Sequence, residues 1–188
     1  MSDTQPKKID RSVSLFWTNV IAIVAALPIF GVTYGLFTLI WGAEQSVPTF
    51  SSAFPLIFFA VLLGGTVVHE LLHGVTWQLV GKLPQGTIEY GIKWKMLTPY
   101  AHAKAPMPVR PYRWGTFMPG LVLGLLPAGI AILTGNAMLL FFGTLFTWMS
   151  AGDFLILWMI RDAGNELLVE DHPTRAGCYL ISSGSNGE

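Results

Sequence analysis

The stretch Phe54–Val80 reads FPLIFFAVLLGGTVVHELLHGVTWQLV and decides the fold of this chain. Glu70 is the only Asp, Glu, Lys or Arg residue in it. At about 1.5 Å per residue, a helix of this length crosses the roughly 30 Å hydrocarbon core of a bilayer. A helix in water would need a polar face, which this stretch lacks. It therefore predicts a membrane-spanning helix that carries the motif HELLH at residues 69–73.

Charged residues are absent from long parts of the chain, namely residues 12–43, 45–68 and 114–152. Of the 188 residues, 12% are charged, which is about half the fraction of a soluble domain. The predicted spans are Leu15–Trp41, Phe54–Val80, Trp114–Leu133 and Ala137–Ile160. We therefore predict an all-α polytopic membrane protein with about four transmembrane helices in contact with the lipid bilayer.

The basic residues predict an orientation. Lys and Arg precede the first predicted span, occupy the loop between the second and third, and follow the fourth. The loop at 42–53 and the turn at 134–136 contain neither. Since basic loops stay on the cytoplasmic side, both termini are predicted to be cytoplasmic. The predicted division is a disordered N-terminus at 1–11, a four-helix membrane domain at 12–162 and a cytoplasmic tail at 163–188.

The loop between the second and third spans has a strand pattern. Apolar side chains at Ile88, Tyr90, Ile92 and Trp94 alternate with polar or small ones, and a period of two is typical of a strand. With a returning strand over residues 100–105, this predicts a β-hairpin at 87–105. An open sheet edge cannot face lipid, so the hairpin is expected at the cytoplasmic membrane surface. A solvated connector that merely alternates is the other interpretation.

The HELLH motif is typical of a zinc site. His69 and His73 are one turn apart on one helix face, where both imidazoles can reach one Zn²⁺ and Glu70 can act as general base. A catalytic zinc needs a third protein ligand, and Asp153 is the only acid in the fourth predicted span. Asp153 and His73 each lie eight residues from the cytoplasmic end of their span, about 12 Å deep. We predict that His69, His73 and Asp153 bind zinc and that Glu70 is catalytic.

Other assignments remain open. His102 and His172 are rival ligands from loop positions, and Cys178, the single cysteine, offers no cysteine cluster. The helix histidines could instead hydrogen-bond to Asp153 within a bundle, which leaves Glu70 without a role. Two further classes are a metal-binding membrane protein without hydrolysis and a structural membrane protein. The 11 basic and 11 acidic residues balance, so no nucleic-acid partner is expected.

Three segments carry a resemblance to a known family: VHELLHG at 68–74, AGD at 151–153 and EDHPTRAG at 170–177. Over roughly residues 55–180 the chain resembles the small bacterial "putative zincin peptidase" domain family. More broadly it resembles intramembrane zinc metalloproteases of the site-2 protease type. Those enzymes usually carry Asn-Pro upstream of Leu-Asp-Gly, whereas here Gly152 precedes Asp153 without an Asn-Pro, so no oxyanion-stabilising group is assigned. The resemblance implies zinc, an activated water and the bacterial inner membrane.

Together these features predict a zinc metalloprotease that hydrolyses peptide bonds of membrane-associated substrates. An extended membrane-protein or peptide substrate could add as a strand to the hairpin at 87–105. The segment Asp171-His172-Pro173 is close enough to the fourth span to fold back over the cytoplasmic mouth. We expect it, with a strand at Cys178–Ile181, to support the site or hairpin without binding zinc. A mobile terminus is the alternative.

Overall fold

The structure is a computed structural model that describes residues 7–94 and 98–182. The helices are α1 (Leu15–Trp41), α2 (Phe54–Gly81), α3 (Val109–Pro119), α4 (Leu126–Thr134), α5 (Ala137–Met149) and α6 (Ala151–Met159). The strands are β1 (Lys8–Val13), β2 (Ile88–Lys93), β3 (Thr98–Ala103), β4 (Met107–Pro108), β5 (Leu168–Asp171) and β6 (Ala176–Ile181). The chain is mostly helical but not all-α as predicted, because its termini and central loop pair into two antiparallel sheets.

Three helical segments are long and apolar enough to cross a membrane: α1, α2 and the continuous stretch Val109–Thr134. Their surfaces expose large apolar side chains, such as Leu39 at 84% and Leu133 at 80%. Water would be a poor solvent for such a surface, and lipid is a good one. The chain therefore has the architecture of a membrane protein. A fourth span exists if α5 and α6, bent by 43° at their junction, count as one.

The predicted fourth span is broken at Ser150. This residue is fully buried, and its hydroxyl donates a hydrogen bond of 3.0 Å to the carbonyl of Phe146 one turn earlier. A serine that bonds back in this way competes with the helical ladder and bends the helix. The bend separates α5 from α6 and places Asp153 in the first turn of α6.

The two connections that lack basic residues lie together at one end of the helices. Gly135 ends α4 with a φ of 71°, in the left-handed region that glycine adopts readily, and Asn136 caps α5 by accepting the Leu139 N–H. This confirms the predicted turn at 134–136. The Gln45 side chain, from the loop between α1 and α2, donates to the Gly135 carbonyl at 3.2 Å. The two connections without Lys or Arg therefore lie at the same end of the helices, as the predicted orientation requires.

A four-stranded sheet, in the order β1-β6-β5-β4, lies at the other end. Its side chains share a buried core with the ends of α2, α3 and α6. Residues 8–11 were predicted to be disordered, but they form β1, which pairs along β6. The predicted tail forms β5 and β6, which pair with each other, and the strand expected at Cys178–Ile181 is part of β6. Residues 1–6 and 183–188 lie outside the described residues.

The predicted hairpin between α2 and α3 is present as β2 and β3. It is shorter than the predicted 87–105. The returning strand, predicted over residues 100–105, is β3 and begins two residues earlier, at Thr98, while residues 95–97 lie outside the described residues. The hairpin packs on α2 at Gly74, where any side chain would overlap the ring of Tyr90. This contact sets the hairpin beside the HELLH segment.

Candidate metal centre

The HELLH segment lies within α2, so His69 and His73 project from the same face. Their Nε2 atoms are 3.1 Å apart. Both side chains are largely buried, with 13% and 9% of their surface exposed. One ligand atom from each of His69, Glu70 and His73 lies within 4.8 Å of the others. These three side chains lie close enough together to hold a metal ion.

Asp153 reaches the same two histidines from α6. Its Oδ2 is 3.1 Å from His69 Nε2, and its Oδ1 is 3.5 Å from His73 Nε2. Asp153 and His73 therefore lie at one level, as their matching distances from the span ends predicted. The bend at Ser150 redirects the chain toward the histidines, because α6 begins at Ala151, two residues before Asp153.

A backbone carbonyl fixes the tautomer of His73. Its Nδ1 lies 2.9 Å from the Gly115 oxygen of α3. A carbonyl oxygen only accepts, so Nδ1 carries the proton and the Nε2 lone pair faces His69 and Asp153. Histidine ligands of metals are commonly oriented by such a second hydrogen bond. The protein thus holds His73 in the form that binds a cation.

The donor set fits zinc. With bonds of about 2.0–2.2 Å, tetrahedral Zn²⁺ separates its ligands by about 3.3–3.5 Å. The separations among His69 Nε2, His73 Nε2 and the Asp153 oxygens are 3.1, 3.1 and 3.5 Å. Two imidazoles and one carboxylate leave one tetrahedral position open, which is the composition of catalytic zinc sites.

Glu70 differs from the other three groups. Its Oε2 accepts a hydrogen bond of 2.9 Å from the backbone N–H of Ala101 in β3. One carboxylate oxygen is thus held by the hairpin, while the residue stays within reach of both histidines.

A family model described as "Putative zincin peptidase" matches residues 59–168, which is more than half of the chain. The chain belongs to this family. Zincins use zinc, so the family implies the same metal that the donor set fits. No curated protein and no solved structure matches the chain.

A cavity of about 260 Å³ adjoins this zincin site. It brings together three groups of residues: the site residues Glu70, His73 and Asp153; Trp77, Tyr112 and Thr116 of α2 and α3; and Asp171, His172 and Arg175 near the β5–β6 connection. This confirms that the segment after α6 folds back over the site. The cavity is the space in which a substrate could meet the zincin residues.

The rival ligands His102 and His172 have other polar partners. His102 contacts Asp171, with 3.3 Å from Nδ1 to Oδ2, and its side chain is 48% exposed. The His172 Nδ1 accepts backbone N–H groups of its own loop. Neither residue belongs to the group of His69, Glu70 and His73.

Sequence reasoning missed the backbone partners of the zincin residues. The Gly115 carbonyl and the Ala101 N–H have no side-chain signature, and only the packing of α3 and β3 on α2 reveals them. It also missed an aromatic stack in which His73 packs on Trp77, and Trp77 on Tyr112, with centroid distances of 5.4 and 5.7 Å. The four-residue spacing of His73 and Trp77 on one helix was the sequence signal for the contact between these two rings.

Proposed function

We propose that the chain is a membrane-embedded zinc metalloprotease of the site-2 protease type that hydrolyses peptide bonds of membrane-associated substrates. One observation carries this proposal. Donor atoms of His69, His73 and Asp153 converge at zinc-like separations, and Glu70 stands next to them with one oxygen anchored by β3. Metal storage or transport needs no carboxylate held beside the ligands, whereas hydrolysis does.

In this proposal the ligands are His69, His73 and Asp153. Glu70 is the rival third ligand, because its carboxylate also lies within 4.8 Å of the histidine nitrogens. Asp153 is preferred, since its two oxygens approach both Nε2 atoms. The Ala101 hydrogen bond already engages one Glu70 oxygen, which suits a base that must stay beside the metal.

Bound there, zinc would supply Lewis acidity, lowering the pKa of a water toward about 7 and polarising a peptide carbonyl. The unanchored oxygen of Glu70 takes a proton from the attacking water as the water oxygen bonds to the carbonyl carbon. Glu70 then delivers that proton to the amide nitrogen as the C–N bond breaks. The products are one carboxylic acid and one amine, which ionise to a carboxylate and an ammonium group, so every atom of the peptide and the water is accounted for.

The substrate would bind as an extended strand on β3. At Ala101 the N–H points to Glu70 and hence away from β2, so this edge of β3 lies beside Glu70 and is not paired with β2. A groove of about 740 Å³ runs between residues 100–104 and residues 170–173. It shares Ala101, Asp171 and His172 with the cavity at the site. A peptide added along this edge would therefore pass the catalytic residues.

The proposed location is the bacterial inner membrane, with four spans and both termini in the cytoplasm. The support is the loop pattern: connections without Lys or Arg meet at one end, and the sheet that joins β1 to β6 lies at the other. The hairpin and the mouth of the groove would then face the cytoplasm.

The test is cleavage by the full-length protein in nanodiscs, assayed with a quenched fluorogenic peptide library. Glu70→Gln keeps the shape of the side chain but removes the proton acceptor, so turnover should fall by ~10²-fold or more. Zinc content should be unchanged. Glu44→Gln, in the loop at the far end of the helices, is the matched control and should cleave normally. Equal cleavage by Glu70→Gln and wild type would end the protease proposal.

A further inference from the structure

His172 is held by its own loop between β5 and β6. Its backbone N–H donates to the Gly177 carbonyl at 3.0 Å, which closes the loop. Its ring nitrogen Nδ1 accepts the backbone N–H groups of Thr174 at 3.2 Å and Arg175 at 3.0 Å. The ring also packs against Tyr179, with centroids 4.9 Å apart. The imidazole therefore has one fixed position and one fixed orientation.

These contacts determine where the proton of His172 lies. A backbone N–H can only donate, so Nδ1 must present a lone pair, and the neutral ring carries its proton on Nε2. This is the reverse of His73, whose Nδ1–H faces the Gly115 carbonyl and whose Nε2 is bare. Nδ1 is occupied and Nε2 is protonated, so His172 is built as a hydrogen-bond donor and not as a metal ligand.

Three other side chains around the cavity already donate to acceptors in the protein, and the Arg175 guanidinium uses one of its N–H groups. Tyr112 Oη donates to Asp171 Oδ1 at 2.9 Å. Trp77 Nε1 and Thr116 Oγ1 both donate to the Tyr112 carbonyl, at 3.2 and 2.8 Å. The Arg175 guanidinium donates to the Ser12 carbonyl at 3.3 Å. Among the described residues, the Nε2–H of His172 has no partner within the protein.

We propose that His172 Nε2–H donates a hydrogen bond to the oxygen of the scissile carbonyl. The role rests on the proposed protease function. When the water oxygen bonds to the carbonyl carbon, the carbonyl π electrons move onto this oxygen, which becomes an anion. The hydrogen bond from His172 strengthens as that charge develops and weakens when the C–N bond breaks. His172 keeps its proton throughout, and Glu70 carries the proton from water to the leaving nitrogen.

This role gives a reason for the position of the β5–β6 loop over the zincin site, although no residue of that loop is needed as a metal ligand. His172 lines the cavity together with Glu70, His73 and Asp153. It stands on a sheet that is fixed by pairing on both sides, since β6 pairs with β5 and with β1. A donor that is preorganised in this way costs no rearrangement during the reaction, and one such donor typically contributes about 10²–10³ in kcat.

The first test does not depend on activity. The chain has four histidines, so ¹⁵N NMR of protein labelled on histidine gives a small set of ring signals that single substitutions can assign. In the full-length, zinc-loaded protein we expect His172 to show a protonated Nε2 and a bare Nδ1, opposite to His73. A protonated Nδ1 in His172 would overturn the proposal, whether or not the protein cleaves peptides.

The second test compares turnover, KM, zinc content and thermal midpoint among variants. His172→Phe keeps a ring against Tyr179 but removes the donor, so kcat should fall about 10²–10³-fold with little change in KM or zinc. His172→Gln retains an N–H near the position of Nε2 and should recover part of the rate. Thr174→Ala is the matched control, because only the exposed side chain of Thr174 is removed. It should behave like wild type.

The outcomes separate the two proposals. Cleavage that Glu70→Gln abolishes but His172→Phe leaves intact would overturn the role of His172 alone. A large kcat loss in Arg175→Gln with none in His172→Phe would overturn it as well and assign the donor to the guanidinium. Failure of the wild-type protein to cleave any peptide would end the protease function, and this role with it.

Discussion

At the residue scale, the site depends on a glycine that sequence reasoning passed over. Gly115 offers its carbonyl to His73, and any side chain at this position would overlap the Trp77 indole. The absence of a side chain lets α3 approach α2 closely enough for that hydrogen bond. Hydrogen bonds to the second nitrogen of a histidine ligand typically change metal affinity by 10–100-fold.

Gly115→Ala should therefore weaken zinc binding by about tenfold or more and lower the thermal midpoint, because Trp77 and the carbonyl must shift. Zinc affinity would be measured by competition with a chelator. Gly129→Ala is the control, since a methyl group at Gly129 in the same helical stretch meets no atom within 4 Å. Equal zinc affinity in the two variants would show that the Gly115 contact does not orient His73.

At the scale of elements, β3 connects the hairpin to the chemistry. The Ala101 N–H faces Glu70 rather than β2, so removing it leaves the pairing of the hairpin intact. Ala101→Pro removes this donor, and Ala101→Ser keeps it. A hydrogen bond to a charged group contributes about 1.5–3 kcal/mol, so turnover of Ala101→Pro should fall about tenfold or more below that of Ala101→Ser.

Zinc content should be equal in both Ala101 variants, because Ala101 contacts the base and not the ligands. Steady-state cleavage and metal analysis of the same preparations check both statements. Equal turnover in the two variants would mean that the hairpin does not position Glu70.

The elements also show what the sequence could predict. The limits of α1 and α2 follow from composition alone, since lipid demands unbroken apolar helices. The kink at Ser150 was not predicted, because it depends on one hydroxyl bonding back to the helix. The strand β1 was missed as well, because its polar residues gain their partner only from β6, more than 160 positions away.

The groups of the site also divide into those that the sequence predicts and those that only the packing reveals. His69, Glu70 and His73 follow from a local spacing, and Asp153 follows from the scarcity of acids in an apolar chain. Nothing local in the sequence indicates the Gly115 carbonyl, the Ala101 N–H or the loop hydrogen bonds of His172. These backbone groups acquire their roles only when separate elements pack together.

At the scale of the whole molecule, the orientation in the membrane can be tested by labelling single cysteines in intact cells. Ser2→Cys and Lys104→Cys should be shielded from an impermeant maleimide, while Gln45→Cys and Asn136→Cys should react from outside. The native Cys178 is buried, and burial raises the pKa of its thiol to about 12, so it stays protonated and unreactive. Labelling of Gln45→Cys and Lys104→Cys from the same side would contradict the four-span topology.

The central claim is that one zinc is held by two histidines of α2 and one aspartate of α6, with Glu70 beside it as base. The most direct test is zinc per protein in Asp153→Ala and in Glu70→Gln, each purified without chelators. Asp153→Ala should lose the metal, because two histidines alone leave the ion under-coordinated, while Glu70→Gln should keep one equivalent. Full zinc in Asp153→Ala together with loss of zinc in Glu70→Gln would contradict the account and make Glu70 the third ligand.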